Sequence, residues 1–376
     1  MTIPTDTADE GAPPSTIVFA PLLFCALLAL YVTLPVGHPG RWAIYTTPVL
    51  IVFELLARKA LTFNPKTIAL LCLYGVYGAA LSLGTDDVSF AIRDMIFISL
   101  PIFLASVRFR VHWGFPYTFL LSVFAGIAIL ISRSDAPLFA VSLDTSRSAA
   151  EASVGLAIPL GGLLLLYRGK WGAALLAVLA MTLMYKRIAL GGFLFASALS
   201  ACFGLLRAGR FPVVAGAVLI ILLFAIGLNA HWVFHQVSGI LADMGIFVSP
   251  NQLSAGRYAM ELNFRAAVLD QYNTWQIVFG GGPGSSTQFF DFYAQYIDAA
   301  FPLMHNDYLR IVSEYGIFGA ATALFLMHRA ISSSPLAGLL ILYTAICFLT
   351  DNVLTYSFYW FVLIFCLRTQ EKPEAG

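Results

Sequence analysis

Charge is what this sequence has least of. Of 376 residues, 21 are Lys or Arg and 20 are Asp or Glu, so charged side chains make up 11%. A soluble domain carries about 25%. A chain this long with so little charge does not cover a water-facing surface. With 59% hydrophobic residues and a mean hydropathy of +0.83, it covers a lipid-facing one. The net charge of +1 leaves no basic field for nucleic acid. Cysteine is sparse too: Cys25, Cys72, Cys202, Cys347 and Cys366 form no CxxC pair and all fall in apolar runs, so neither a disulfide framework nor a zinc site is expected. The leader Met1 to Ser15 holds no Lys or Arg, which argues against a cleaved signal peptide.

Other chemistries are missing a part. The run Phe279–Ser286 (FGGGPGSS) lacks the GK[ST] ending of a phosphate loop and reads as a turn. Asp86–Asp87 stands alone in a short loop, and two carboxylates without partners are a poor magnesium site. His231 and His235 are four apart without a third ligand at metalloprotease spacing. No metal and no cofactor are expected.

What is present is a series of apolar stretches near the 20 residues that a helix needs to cross a bilayer. They fall near residues 15–35, 41–57, 67–84, 89–107, 114–132, 151–167, 171–186, 188–206, 211–229, 305–327, 331–350 and 353–368. The expected fold is an all-α polytopic membrane protein of about twelve transmembrane helices. Its parts are a tail (1–14), spans one to nine (15–229), a loop subdomain (230–304), spans ten to twelve (305–368) and a second tail (369–376).

Basic residues then set an orientation. With the N-terminus inside, the cytoplasmic segments hold Arg58, Lys59, Lys66, Arg108, Arg110, Arg168, Lys170, Arg207, Arg210, Arg329, Arg368 and Lys372, twelve of 21. The other side holds Arg41, Arg133, Arg147, Lys186, Arg187, Arg257 and Arg265. Arg93 and Arg310 lie within spans; Arg93 is expected to pair with Asp94. Both termini are placed in the cytoplasm, and the segment 230–304 is placed outside. Within it, Gly256–Tyr272 reads as an amphipathic helix with Arg257, Glu261 and Arg265 four apart along one face.

Positive charge on the side that usually has less needs a reason. Lys186 and Arg187 sit in a tight turn after span seven. They either snorkel to lipid phosphates or clamp an anionic substrate, for which the planar guanidinium fork is suited. Arg257 is either a solvated charge paired with Glu261 or part of the same clamp; for Arg265 the solvated face is the simpler reading. His305 opens span ten and is either a helix-start residue or a base for a sugar hydroxyl. Arg310 and Glu314 are one turn apart and are expected to pair, since an unpaired charge at mid-membrane costs roughly 2.5–3.5 kcal/mol. That pair reads as structural.

The run His305–Gly319, HNDYLRIVSEYGIFG, resembles the signature of the bacterial O-antigen ligase and O-antigen (repeat-unit) polymerase superfamily of polytopic glycosyltransferases. That signature is a histidine, a leucine four residues on and Glu-x-Gly-x-x-Gly, here His305, Leu309, Glu314, Gly316 and Gly319. Upstream, Ser254–Arg257 resembles the family's Ser-Gly-Arg segment with one residue inserted, and Gly280–Ser285 resembles its Gly-x-Gly-x-Gly turn. The resemblance is close over about Ser254–Gly319; elsewhere it rests on span count and loop position.

This resemblance implies a twelve-span enzyme of the bacterial inner membrane with a helical periplasmic loop before span ten. It implies inverting, metal-independent transfer of a glycan from a polyprenyl diphosphate carrier to an acceptor sugar hydroxyl. The family's two essential arginines fall at Arg187 and Arg257, which would hold the diphosphate, and His305 would act on the acceptor hydroxyl. Lys186, Arg265, Arg310 and Glu314 are possible supporting residues. The implied partners are a polyprenyl-diphosphate-linked oligosaccharide, an acceptor glycan or glycolipid, the lipid bilayer and a chain-length regulator. One departure is Lys186-Arg187-Ile188, where many ligases carry Ser-Arg-Gly. A repeat-unit polymerase for O-antigen, capsule or exopolysaccharide is favoured, with an O-antigen ligase acting on lipid A-core as the alternative. A lipid-linked glycan transporter or flippase is a further alternative; charges at one face and the lack of an inverted repeat argue against it.

Overall fold

The computed structural model describes residues 14–34, 38–83, 88–133, 139–140, 147–148, 153–184, 186–202, 213–254, 256–294, 304–349 and 351–371. Among these residues, nine apolar helices come first: α1 (Phe19–Thr33), α2 (Thr47–Ala57, entered through a 3-10 segment Pro39–Thr46), α3 (Pro65–Ser82), α4 (Val88–Ser106), α5 (Phe115–Arg133), α6 (Ile158–Tyr167), α7 (Trp171–Leu183), α8 (Arg187–Cys202) and α9 (Val213–Leu228). The segment 230–304 carries α10 (Ala230–Asp243), α11 (Pro250–Leu253), α12 (Arg257–Ala267), α13 (Thr274–Phe279) and α14 (Ser285–Ala294). Three helices close the chain: α15 (Asp307–Ile331), α16 (Pro335–Cys347) and α17 (Ser357–Arg368). Strand structure among the described residues is confined to two-residue pieces, β1 (Thr16–Ile17) beside β2 (Arg110–Val111) and β3 (Phe139–Ala140) beside β4 (Arg147–Ser148).

The chain thus has the features of an all-α membrane protein. Among the described residues, four helical stretches are long and apolar enough to cross a membrane: Pro39–Ala57, α4, α5 and α15. A fifth candidate is α9 with α10, bent by 81°. Shorter apolar helices, among them α1, α6, α7, α16 and α17, pack beside them. Nearly every residue of α6 and α16 is buried, as expected for helices apolar all round at the centre of a bundle. Outer helices turn large apolar side chains outward, among them Leu121, Leu175, Ile221 and Phe325. Lipid tolerates such a surface; water does not.

At one end of the bundle, basic residues tie chain segments together. Arg58 donates to the Thr16 carbonyl at 2.9 Å. Arg168 donates to the carbonyls of Thr369 (2.9 Å) and Gln370 (2.6 Å), and Arg368 to that of Ala105 (2.7 Å). Four of the loops read as cytoplasmic in sequence therefore share one end.

Two expected elements differ in detail. The helix expected over Gly256–Tyr272 ends at Ala267 and continues as a 3-10 turn, Leu269–Gln271. The tenth apolar stretch is one helix broken at Gly316, which adopts φ 63°, ψ −165°. Such a break frees carbonyls that the helix would otherwise use, and neighbours take them. Gly281 N–H donates to the Ser313 carbonyl (2.8 Å) and Gly282 N–H to that of Glu314 (3.0 Å); the Tyr77 hydroxyl donates to that of Tyr315 (3.1 Å). The turn between α13 and α14 is thus docked backbone to backbone on the break. Gly280, at φ +89°, lies so close that an added Cβ would stand 2.3 Å from the Glu314 carbonyl.

Candidate functional site

The site lies where the starts of α8, α12 and α15 meet the connection between α16 and α17. Arg187 and Arg257 are the first residues of α8 and α12. Gly256 supplies the left-handed entry to α12 (φ 88°), and the Ser254 hydroxyl accepts from Tyr258 N–H at 2.9 Å. The amide needs of this helix start are met internally, so its guanidinium is what it presents. Lys186 precedes α8, with its alkyl stem over Gly155, where an added Cβ would stand 2.6 Å from the Lys186 Cγ.

Asn306 holds the start of α15. Buried completely, it accepts from Leu309 N–H (3.1 Å) as an N-cap. Its amide nitrogen donates to the Gly227 carbonyl (2.7 Å) at the α9–α10 bend and to Glu261 Oε1 (3.1 Å) on α12. One side chain therefore sets α9, α12 and α15 against each other. The neighbouring His305 places Nδ1 3.8 Å from Asp351 Oδ1, an ion-pair separation rather than a closed hydrogen bond. Asp351 also accepts from Asn352 N–H (2.9 Å) and from the Tyr356 hydroxyl (3.5 Å).

Electrostatics link these groups. Burial pulls the Arg257 guanidinium down from its ordinary pKa; the Asp351 charge opposes this and the Arg187 charge adds to it. Burial pushes the Asp351 carboxyl up, but His305 and the Lys186 charge outweigh burial and hold it below the usual carboxylate range. Burial raises Glu261 to about 7 against the opposing help of Asn306, Arg265, the His231 amide and Arg257. Thus Lys186, Arg257 and His305 act on one buried carboxylate, Asp351, and Arg187 acts on Arg257.

Pairing along α12 is looser than its spacing implies. Neither Arg257 nor Arg265 closes an ion pair with Glu261 among the described residues, and the Nε atoms of both arginines and Oε2 of Glu261 are buried without a hydrogen-bond partner. Arg265 sits with Glu261 and His231, on the far side of Glu261 in sequence from Arg257. His235 is exposed. Asp86–Asp87 lies outside the described residues.

Arg310 and Glu314 belong to a separate buried cluster. Arg310 Nε donates to Glu314 Oε1 at 3.1 Å, a second guanidinium nitrogen pairs with Asp94, and a third reaches Thr355 Oγ1 at 3.4 Å. The Ser286 hydroxyl donates to Glu314 at 2.5 Å. Asp94 keeps a longer contact to Arg93, 3.4 Å. These bonds join α4, α14, α15 and the 3-10 turn Val353–Thr355, as buried charges require.

Asp351, Asn306 and Ser286 carry much of this geometry and were not singled out in sequence, and Asp94 was assigned there to Arg93 alone. The available signal for Asp351 was a polar Asp-Asn pair between two apolar runs; the signal for Asn306 was an N-cap residue beside the histidine. Chemically, the site offers three clustered cations for an anion and an imidazole backed by a carboxylate. The sequence matches no protein-family model and no curated protein.

Proposed function

We propose that the protein is a glycosyltransferase of the polysaccharide repeat-unit polymerase kind, taking its glycan from a polyprenyl diphosphate carrier. The observation that carries this reading is the gathering of Lys186, Arg187 and Arg257 beside the His305–Asp351 pair. Guanidinium forks suit the diphosphate and stabilise its charge as the bond to the anomeric carbon breaks. His305 takes the proton from the acceptor hydroxyl as its oxygen attacks that carbon from the opposite face, giving inversion. Asp351 orients the imidazole and stabilises its protonated form. Glu314 and Arg310 hold the frame rather than the substrate.

In this reading the chain crosses the inner membrane twelve times, with both termini cytoplasmic and the site on the periplasmic face. The basic ends gathered by Arg58, Arg168 and Arg368 support that sidedness through the excess of basic residues in cytoplasmic loops. The product is O-antigen, capsule or exopolysaccharide.

The test uses purified protein in lipid nanodiscs supplied with one polyprenyl-diphosphate-linked repeat unit and no other acceptor, the products being resolved by size. A ladder of products that Arg257→Ala abolishes is the expected result. Folded protein that gives no ladder overturns the polymerase reading.

A further inference from the structure

A second cluster of polar aromatics and cations lies off this site. Tyr31, His38, Arg41, Trp42 and Tyr45 line a cavity of about 150 Å³. Each of the five brings a ring or a guanidinium plane together with a nitrogen or oxygen. Arg41 lies with its guanidinium carbon 4.2 Å over the Tyr31 ring, and its Nε donates to the Tyr31 carbonyl at 3.0 Å. The stacking and that bond together hold the guanidinium plane against Tyr31. His38 Nδ1 accepts from Gly40 N–H at 3.0 Å, which leaves the imidazole hydrogen on Nε2 as a donor. Trp42 is 56% exposed although Phe97 stacks behind both it (6.0 Å) and Tyr45 (5.2 Å). Neither the Tyr31 nor the Tyr45 hydroxyl is committed to a protein hydrogen bond among the described residues.

Two aromatic rings separate the cavity from the His305–Asp351 pair. The Tyr31 ring is 5.2 Å from that of Phe358, Phe358 stacks on Tyr356 at 5.4 Å, and the Tyr356 hydroxyl reaches Asp351. We infer that this cavity is a glycan subsite that seats a pyranose ring of the acceptor, two rings away from the His305–Asp351 pair. A pyranose presents apolar C–H faces that stack on indole and phenol rings. Its rim of hydroxyls matches the donors of Arg41, His38 and the two tyrosines. An aromatic belt that anchors the protein at the membrane interface accounts for an exposed Trp42. It does not account for a concave wall with a locked guanidinium and an imidazole donor. The acceptor role rests on the transfer reading above; the sugar binding does not.

Two measurements separate those claims. In nanodiscs at fixed carrier-linked donor, a free repeat-unit oligosaccharide is titrated as acceptor. Trp42→Ala and Arg41→Ala should each raise the acceptor KM about tenfold, as expected for losing one stacking or charge-assisted contact. The donor KM should stay within roughly twofold, and Trp42→Phe should recover most of the loss. An unchanged acceptor KM, or a loss of thermal stability with both constants moved alike, overturns the proposal. Should the wild type transfer nothing, saturable quenching of its tryptophan fluorescence by the same oligosaccharide, lost in Trp42→Phe, still establishes the subsite. Absence of that quenching overturns it.

Discussion

Replacing Glu261 by Gln should remove a specific pH dependence of folding. The Glu261 side chain is 1% exposed, and it faces Arg257 and Arg265 on its own helix, the His231 amide on α10 and Asn306 before α15. Burial raises its pKa from 4.5 to about 7. The folded protein therefore keeps a proton that the unfolded chain has already released. Stability falls as pH climbs from about 4.5 through 7 and levels off above, by up to about 3 kcal/mol for a shift of this size. Gln offers one oxygen to the same donors and cannot ionise. The His231 pKa is lowered by burial and then by Arg265, but His231 is common to both proteins, so their difference isolates the carboxyl. Reversible unfolding in mixed micelles, compared at pH 5 and pH 8.5, is the assay. Glu261→Gln should match the wild type at the lower pH and exceed it by about 1–3 kcal/mol at the higher one. Parallel pH curves for the two proteins would refute the reasoning.

Gly280→Ala forces a side chain onto the Glu314 carbonyl at a backbone angle that only glycine adopts easily. Strain, overpacking and lost turn hydrogen bonds together should lower stability by about 3 kcal/mol or more in the same unfolding assay. Arg310→Met leaves Asp94 and Glu314 buried without their shared cation, a loss of about 3–5 kcal/mol, and Asp94→Asn in that background should recover part of it. Asp351→Asn should lower the turnover number for glycan transfer by about 10²–10⁴ while leaving binding of the carrier-linked donor, measured by spectral shift or filtration, within roughly threefold.

Much of the helical plan was legible because crossing a membrane demands long apolar runs, and such runs are visible one segment at a time. Arg187 and Arg257, proposed above to hold the diphosphate, drew notice in sequence because cations flanking apolar helices on the side read as less basic stand out against their surroundings. Asp351 was not, since one acid in a short link between two apolar runs resembles an ordinary loop residue. Its importance comes from His305 and Lys186, which are distant in sequence and meet it only after folding. The partner of Asp94 was hidden for the same reason: Arg93 is next to it in the chain, but Arg310 is next to it in space. The break at Gly316 also escaped, because the glycine sits in an otherwise regular helical pattern and is stabilised by a turn more than thirty residues upstream.

That break constrains the order of assembly. A helix entering an apolar medium with the carbonyls of Ser313, Glu314 and Tyr315 unclaimed has no water to satisfy them. The N–H groups of the glycine turn and the Tyr77 hydroxyl are their donors, so α15 reaches its bent form only when α3 and the segment from α13 to α14 are already alongside. The middle segment of the chain is then a prerequisite for seating the helix that follows it, and a deletion within it should be lost to quality control before any question of activity arises.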